Sequence, residues 1–170
     1  KQSIPRYCRV QRIQRDVPTK MWASGVEFTN LRQYIHETYK PACQCIRCRE
    51  PMGREIDYDS LKQDINEYNA NGGKEFFISL NDTKNDIIAG FCRMRFPSQC
   101  LRPEITKSSA LIRELHIYGT ATAIGEDGAI QHKGYGKQLL KQAEHIAQQH
   151  GKNKMIIISG VGAREYYRKL

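Results

Sequence analysis

The chain has 170 residues, 39% of them apolar, and 27 lysines and arginines against 18 acidic residues leave a formal charge of +9. That suffices for one cored domain, alone or with a smaller attached module. No apolar run approaches the roughly 20 residues that span a bilayer, and no charged n-region precedes an apolar h-region, so neither membrane insertion nor export is indicated. The basic excess makes a polyanion a natural partner, whether nucleic acid, phosphorylated cofactor or acidic membrane surface.

The sequence begins at Lys1 rather than Met and stops at Leu170 inside a helical pattern, as expected of a segment cut from something longer. RYCRVQRIQRDVP alternates Tyr7, Arg9 and Gln11 against Cys8, Val10 and Ile13, and reads as a strand stopped by Pro18. Thr29 and Asn30 then offer a cap to a helix with Leu31, Tyr34, Ile35 and Thr38 at helical spacing, ended by Pro41. The cysteine-rich CQCIRCRE follows. Met52-Gly53 is the expected boundary between a linker, 1–53, and a main domain, 54–170.

Within SLKQDINEYNANGG the periodicity does not choose between helix and strand, but Asn71-Gly72-Gly73 is a firm turn signal. KEFFISLND and DIIAGFCRMRF are apolar and aromatic strands joined by a polar turn from Asn81 to Asn85. Pro97 and Pro103 mark a loop, and ALIRELHIYG is a further strand. After the step QHKGYG, an amphipathic helix carries Leu139, Leu140, Ala143, Ile146 and Ala147 on its core face. KMIIISG reads as a fully buried strand, and AREYYRKL opens a last helix. Two strands around one crossover helix suit parallel pairing. The expected class is therefore α/β (α+β), a mixed, mostly antiparallel sheet with flanking helices.

Gly134 and Gly136 stand directly before the long helix. They permit close backbone approach, and the unpaired N–H groups and positive dipole end behind them suit an anion such as phosphate. The step lacks the Gly-Lys-Ser/Thr ending of a P-loop and one glycine of the dinucleotide fingerprint. An ordinary glycine-rich turn remains the alternative.

A strand, Gln-x-x-Gly-x-Gly, an amphipathic helix, a short apolar strand and AREYYRKL, in that order from Ser60 to Leu170, resemble the GNAT acetyltransferase superfamily. The resemblance implies that the step holds the pyrophosphate of acetyl-CoA. Tyr135, Gly136, Lys137 and Gln138 would supply N–H groups, Gln131 and Gly134 would shape the loop, and Lys133 or Lys137 would add charge. It implies that Glu114, Leu115, His116 and Ile117 line the thioester and pantetheine arm, largely through backbone, one face of the strand being core. Glu114 is nominated as base or water-orienting residue, against the ordinary fate of a mid-strand carboxylate, solvation or an ion pair. His116 is either pH-sensitive or a structural hydrogen-bonding group. Tyr167 matches the tyrosine that faces the thioester sulfur, where a phenol of pKa near about 10 can protonate a departing thiolate. Tyr166 is expected to pack.

RVQRIQRDVP, IRELHIYG, QHKGYG, ISGVGAREYYRKL and CQCIRCRE together resemble the catalytic-subunit family of Elongator, the tRNA wobble-uridine modifying enzymes, in an archaeal-like form. The resemblance covers nearly the whole chain. It implies a cytoplasmic acyltransferase with tRNA and acetyl-CoA as partners. It further implies a radical S-adenosylmethionine domain with an iron–sulfur cluster ahead of Lys1, and contacts with a second copy or with Elongator subunits. The acetyl group would become a carboxymethyl group on carbon 5 of uridine, with water as final acyl acceptor. The alternatives are a lysine N-acetyltransferase acting on histone or other protein, and a catalytically silent tRNA-recognition module.

Of six cysteines, Cys43, Cys45 and Cys48 are close enough to share one tetrahedral zinc, with His36, Cys92 or Cys100 as the fourth ligand. An iron–sulfur cluster would need a fourth cysteine, and none is well placed. Arg47 and Arg49 are expected to lower the thiol pKa values. Arg6 to Lys20, Arg47 to Arg54 and Arg164 to Lys169 could form a track for tRNA phosphates, although most charge runs are solvated faces.

Overall fold

The structure is a computed structural model that describes residues 4–11, 13, 23–24, 31–39, 42–119 and 134–169. It divides into two compact units, Lys1–Arg49 and Glu50–Leu170. No helix among the described residues is long and apolar enough to cross a membrane.

The first unit contains helix α1, Leu31–Tyr39, and the single turn α2, Ile46–Arg49. The strand expected from Tyr7 is not formed over its described residues. A strand needs a ladder partner, and here the segment makes single bonds instead, the Ile46 N–H donating to Cys8 O at 2.8 Å. Arg49, 2% exposed, ties the unit together by donating to the carbonyls of Gln44 (3.0 Å) and Arg6 (2.9 Å). It is thus withdrawn from the phosphate track that the sequence suggests.

The second unit is a five-stranded sheet in sequence order. Strands β1 (Leu61–Ala70), β2 (Gly73–Asp82), β3 (Ile87–Phe96) and β4 (Ser109–Ile117) form an antiparallel meander. Helix α3, Tyr135–Gln149, then carries the chain to β5, Lys154–Ile157, which pairs parallel to β4. The short helix α4, Arg164–Arg168, follows. The ambiguous SLKQDINEYNANGG is β1, closed on β2 by Asn71 and Gly72, both at positive φ as a tight hairpin requires. β1 is an outer strand with mostly exposed side chains, which is why its period-2 signal is faint. β5 is half-buried rather than fully buried, because it too is outermost and has only β4 as a neighbour.

The main core cluster lies on one face of the sheet, where Leu139, Leu140, Ala143, Ile146 and Ala147 of α3 meet Phe76, Ile78, Met94, Ala110 and Ile112, and Phe77 and Phe91 are buried on the other. Burying each large aliphatic side chain contributes about 1.5–3 kcal/mol. At the far end of β2, the fully buried Asp82 accepts from the Asp57, Lys84 and Asn85 amides, the Ser60 hydroxyl and the Asn85 side chain. These bonds hold its carboxyl well below the ordinary range against the upward push of burial. They also fix the 3₁₀ turn Tyr58–Ser60 to the sheet.

One irregularity decides what β4 presents. Arg93 pairs with Glu114 but Met94 pairs with Ile112, so Arg113 is an extra residue in β4. A one-residue bulge exchanges the two faces of a strand. Ala110 and Ile112 point into the core before it, and Leu115 and Ile117 pack against the same core after it. The displaced Arg113 donates to Glu75 (2.5 Å), which is 2% exposed and also accepts from Arg95 (2.6 Å).

Replacing Glu75 by Gln leaves two guanidinium groups without a counter-charge. Removing one partner of a buried pair costs about 3–5 kcal/mol, and since Arg113 can rehydrate we expect about 2 kcal/mol in urea unfolding. An unchanged midpoint would show that the bulge does not depend on this carboxylate.

Candidate acetyl-CoA site and cysteine cluster

β4 and β5 stay in register only from Ser109–Lys154 to Ile112–Ile157, with a last bond from the Ile158 N–H to Ile112 O at 3.0 Å. Among the described residues, β4 has no β5 partner beyond the bulge. Glu114 to Ile117 therefore stand along a stretch of β4 whose β5 side is left unpaired among the described residues. Gly90 lets β4 run this close to β3: a Cβ there would lie 2.6 Å from Ile117 Cδ1 and 2.9 Å from His116 O.

The four β4 residues divide by face. Leu115 and Ile117 turn to the α3 side and partly pack into the core. His116 turns to the other face, its ring stacked on Phe91 (5.7 Å) and tilted against Tyr118 (4.4 Å). Glu114 accepts from Arg93 Nε at 3.0 Å, and the Arg93 guanidinium lies over Phe77 and Phe91. The carboxylate nominated as a base is thus ion-paired.

α3 opens at Gly134, which has φ 75° and provides no side-chain cap. The Gln138 N–H bonds Gly134 O at 2.9 Å. The amides of Tyr135, Gly136 and Lys137 precede the first residue that can bond back within the helix, so they are the groups free to take an external acceptor. No heavy atom lies within 4 Å of where a Gly134 Cβ would stand. A Cβ on Gly136 would sit 3.2 Å from Tyr166 Oη and 3.8 Å from both Leu115 and Ile117 side chains. The open first turn, the unpaired half of β4 and a phenol thus converge on one point. This is a cradle of the kind a diphosphate-linked thioester arm fits: N–H donors for the anion, strand backbone for the amide arm, apolar side chains behind it. Gln131 and Lys133 lie outside the described residues.

The two adjacent tyrosines of α4 separate as well. Tyr166, expected to pack, is 37% exposed with its hydroxyl at Gly136. Tyr167 packs against the core and lines a cavity of about 100 Å³ with Lys137, Lys141 and Met155. Burial, then the neighbouring Tyr166 and Cys92, raise its pKa, so it remains protonated at neutral pH. A larger cavity, about 560 Å³, lies between the segment Pro51–Ile56, Tyr58 and Tyr118. Sequence periodicity gives no sign of it, because its walls come from a linker and two strand ends. The ring of Tyr58 also stacks on Tyr135, the first residue of α3, with centroids 5.9 Å apart and planes 9° apart.

In the first unit the sulfurs of Cys43, Cys45 and Cys48 lie within 4.8 Å of one another. His36 of α1 brings Nε2 to 3.6 Å from Cys48 Sγ, and Arg32 donates to the same sulfur at 3.2 Å. Burial and then the Arg32 charge lower the His36 pKa, leaving the neutral imidazole that a metal requires. Burial pushes Cys45 up, but amide bonds from Val10 and Cys48 and the two other thiols bring it down to about 7. Cys48 is pushed up to about 12 by burial and by the Cys43 and Cys45 thiols. One thiolate forms readily and opposes the next, a conflict that a cation resolves. Of the other candidate fourth ligands, Cys92 is fully buried in the sheet core and Cys100 is exposed.

Residues 32–170 match the acetyltransferase (GNAT) family. A tRNA uridine(34) acetyltransferase of Methanocaldococcus jannaschii is 41% identical over 183 residues, an alignment covering 100% of this chain and 34% of that protein. Elongator complex protein 3 of Dictyostelium discoideum is 40% identical, covering 98% of this chain and 32% of its own length. A solved structure, the archaeal Methanocaldococcus infernus Elp3 with an N-terminal deletion, superposes with a TM-score of 0.83 at 39% identity over 98% of this chain and 42% of that one. The chain spans about a third of the length of these curated relatives.

Gly134→Ala forces a Cβ into left-handed backbone, which costs about 1 kcal/mol. We expect that loss in thermal unfolding together with weaker CoA binding. Unaltered stability and affinity would mean that the turn is not held in this conformation.

Proposed function

The chain belongs to the acetyltransferase (GNAT) family, and we propose that it is the acetyl-CoA-handling domain of an Elongator-type tRNA modification enzyme acting in the cytoplasm. The observation that carries this reading is the parting of β4 from β5 at Ile112 and Ile157, directly beside the open first turn of α3. The relatives named for tRNA uridine(34) support the choice of acceptor over a protein lysine.

In this reading the N–H groups of Tyr135, Gly136 and Lys137 donate to the pyrophosphate, that of Gln138 being already bonded to Gly134 O, and Glu114 to Ile117 bind the arm through backbone. Acetyl-CoA supplies an activated acetyl group whose thiolate leaves once protonated. Tyr167, kept protonated by burial, holds that proton, and Tyr166 adds a hydroxyl at the mouth of the cradle. Glu114, oriented by Arg93, positions water. The carboxymethyl outcome calls for a radical S-adenosylmethionine domain with an iron–sulfur cluster as partner, together with tRNA and either a second copy or Elongator subunits.

The test follows label from acetyl-CoA in the intact protein with tRNA, with a lysine peptide, and with neither. Thioester cleavage only with tRNA, and no labelled peptide, is the expected result. Label on peptide lysine without tRNA would replace the acceptor and keep the family. Tyr167→Phe should slow thioester cleavage about 10²-fold, as for loss of a general acid. Undiminished cleavage would remove Tyr167 from the chemistry.

Cys43, Cys45, Cys48 and His36 are proposed to hold one structural zinc ion, whose clamp supports a unit with little core of its own. Elemental analysis should give one zinc per chain, lost on Cys48→Ser. Retention should weaken as pH falls through about 7, where the Cys45 thiolate takes up a proton. A chain that contains no zinc and resists chelators as well as the native protein does would refute the site.

A further inference from the structure

Tyr58 belongs to neither the acetyl-CoA strand nor the glycine step, yet it links the glycine step to the sheet. Its turn is clamped at both ends. Asp57 caps it by accepting from the Asp59 N–H at 3.1 Å, while the Asp57 N–H and the Ser60 hydroxyl bond Asp82 at 2.9 and 2.6 Å. Asp82 is the last residue of β2 and has no exposure, so the turn is anchored to the most rigid part of the unit. From that anchor the Tyr58 ring reaches the Tyr135 ring and lies nearly parallel to it. Tyr135 is the first residue of α3, and its backbone N–H is the first donor of the cradle. Gly134, before it, has no side chain to brace the turn, and Gly136, after it, has none either. The Tyr58 ring is therefore the side-chain brace that the two glycines cannot provide.

We propose that Tyr58 is a positioning residue for the diphosphate of acetyl-CoA: through its stack on Tyr135 it holds the first-turn amides of α3 in the donating arrangement. The proposal rests on the acetyl-CoA reading of the glycine step. An open helix end is an effective anion site only if its N–H groups are already aligned, since ordering them at binding subtracts from affinity. The Asp82 network, which also caps the turn from β2 to β3 through the Lys84 and Asn85 amides, becomes the foundation of that alignment.

The test compares CoA with pantetheine, which has the same thiol arm but no diphosphate. Binding is followed by calorimetry, with displacement of bound CoA for the weaker ligand, and hydrogen exchange is read on the same samples. An offset aromatic pair is worth enough that Tyr58→Leu should weaken CoA by roughly two- to tenfold. Pantetheine should be unaffected, and Tyr58→Phe, which keeps the ring, should restore most of the CoA affinity. CoA should protect the amides of residues 135–137 from exchange in the native protein and protect them less in Tyr58→Leu, with exchange at 139–147 unchanged. CoA affinity unchanged in Tyr58→Leu, or an equal loss for both ligands with faster exchange along all of α3, would overturn the proposal and leave Tyr58 a packing residue. Native protein that binds CoA no better than pantetheine would instead overturn the reading of the glycine step itself.

Discussion

Arg113 is one residue too many for the ladder between β3 and β4, and the second unit is arranged around accommodating it. The extra residue turns outward to Glu75, a carboxylate in the sheet already paired with Arg95. With that side chain taken out of the alternation, Leu115 and Ile117 reach the core that Ala110 and Ile112 would otherwise have to themselves. Pairing with β5 ends at the same place. Two parallel strands that separate inside a domain leave backbone unpaired in a region lined by apolar side chains, an arrangement sustained where a ligand supplies the partners. Bulge, ion pair and gap are thus one feature seen from three sides.

The neighbouring elements serve that gap. α3 delivers its N-terminus to the gap because its core face, Leu139 to Ala147, can dock only against the side of the sheet that carries Phe76, Met94 and Ile112. α4 follows β5 closely and brings two tyrosines of different character, one exposed at Gly136 and one packed inward. The inner phenol is protonated at neutral pH as any phenol is, and burial, with Tyr166 and Cys92 beside it, pushes its pKa further up.

Much of this was legible in the sequence, and the exceptions share a cause. β2 and β3 read as apolar and aromatic runs because nearly all their residues are buried, α3 carries a periodic pattern because one face is buried, and the Asn71-Gly72 turn is set by local backbone preference. The glycine step was readable as an anion site because Gly134 and Gly136 announce backbone use. What was not legible depends on partners far away in the sequence. β1 hides its period because it is outermost, while the segment from Tyr7 alternates yet finds no ladder. The bulge at Arg113 has no local signature, so the register that sends Leu115 and Ile117 to the same face could not be read from IRELHIYG. For the cysteine cluster, spacing supplied three ligands and left His36 among three candidates. A helix had to fold before its imidazole reached Cys48.

The order of strands in the sheet has a kinetic meaning. β1 to β4 are neighbours both in space and in sequence, so the meander closes through two tight turns and one longer loop between β3 and β4, all local in the chain. β5 is different: it joins only after α3 has crossed over, and it shares just four residue pairs with β4. β4 belongs to the meander and also lines the gap, whereas the glycine step and both tyrosines lie on elements that join it only through the crossover. Elements held by few contacts are those that open most readily. A molecule bridging β4 and α3 would therefore act as the missing late contact, and the domain would complete its folding around its own substrate.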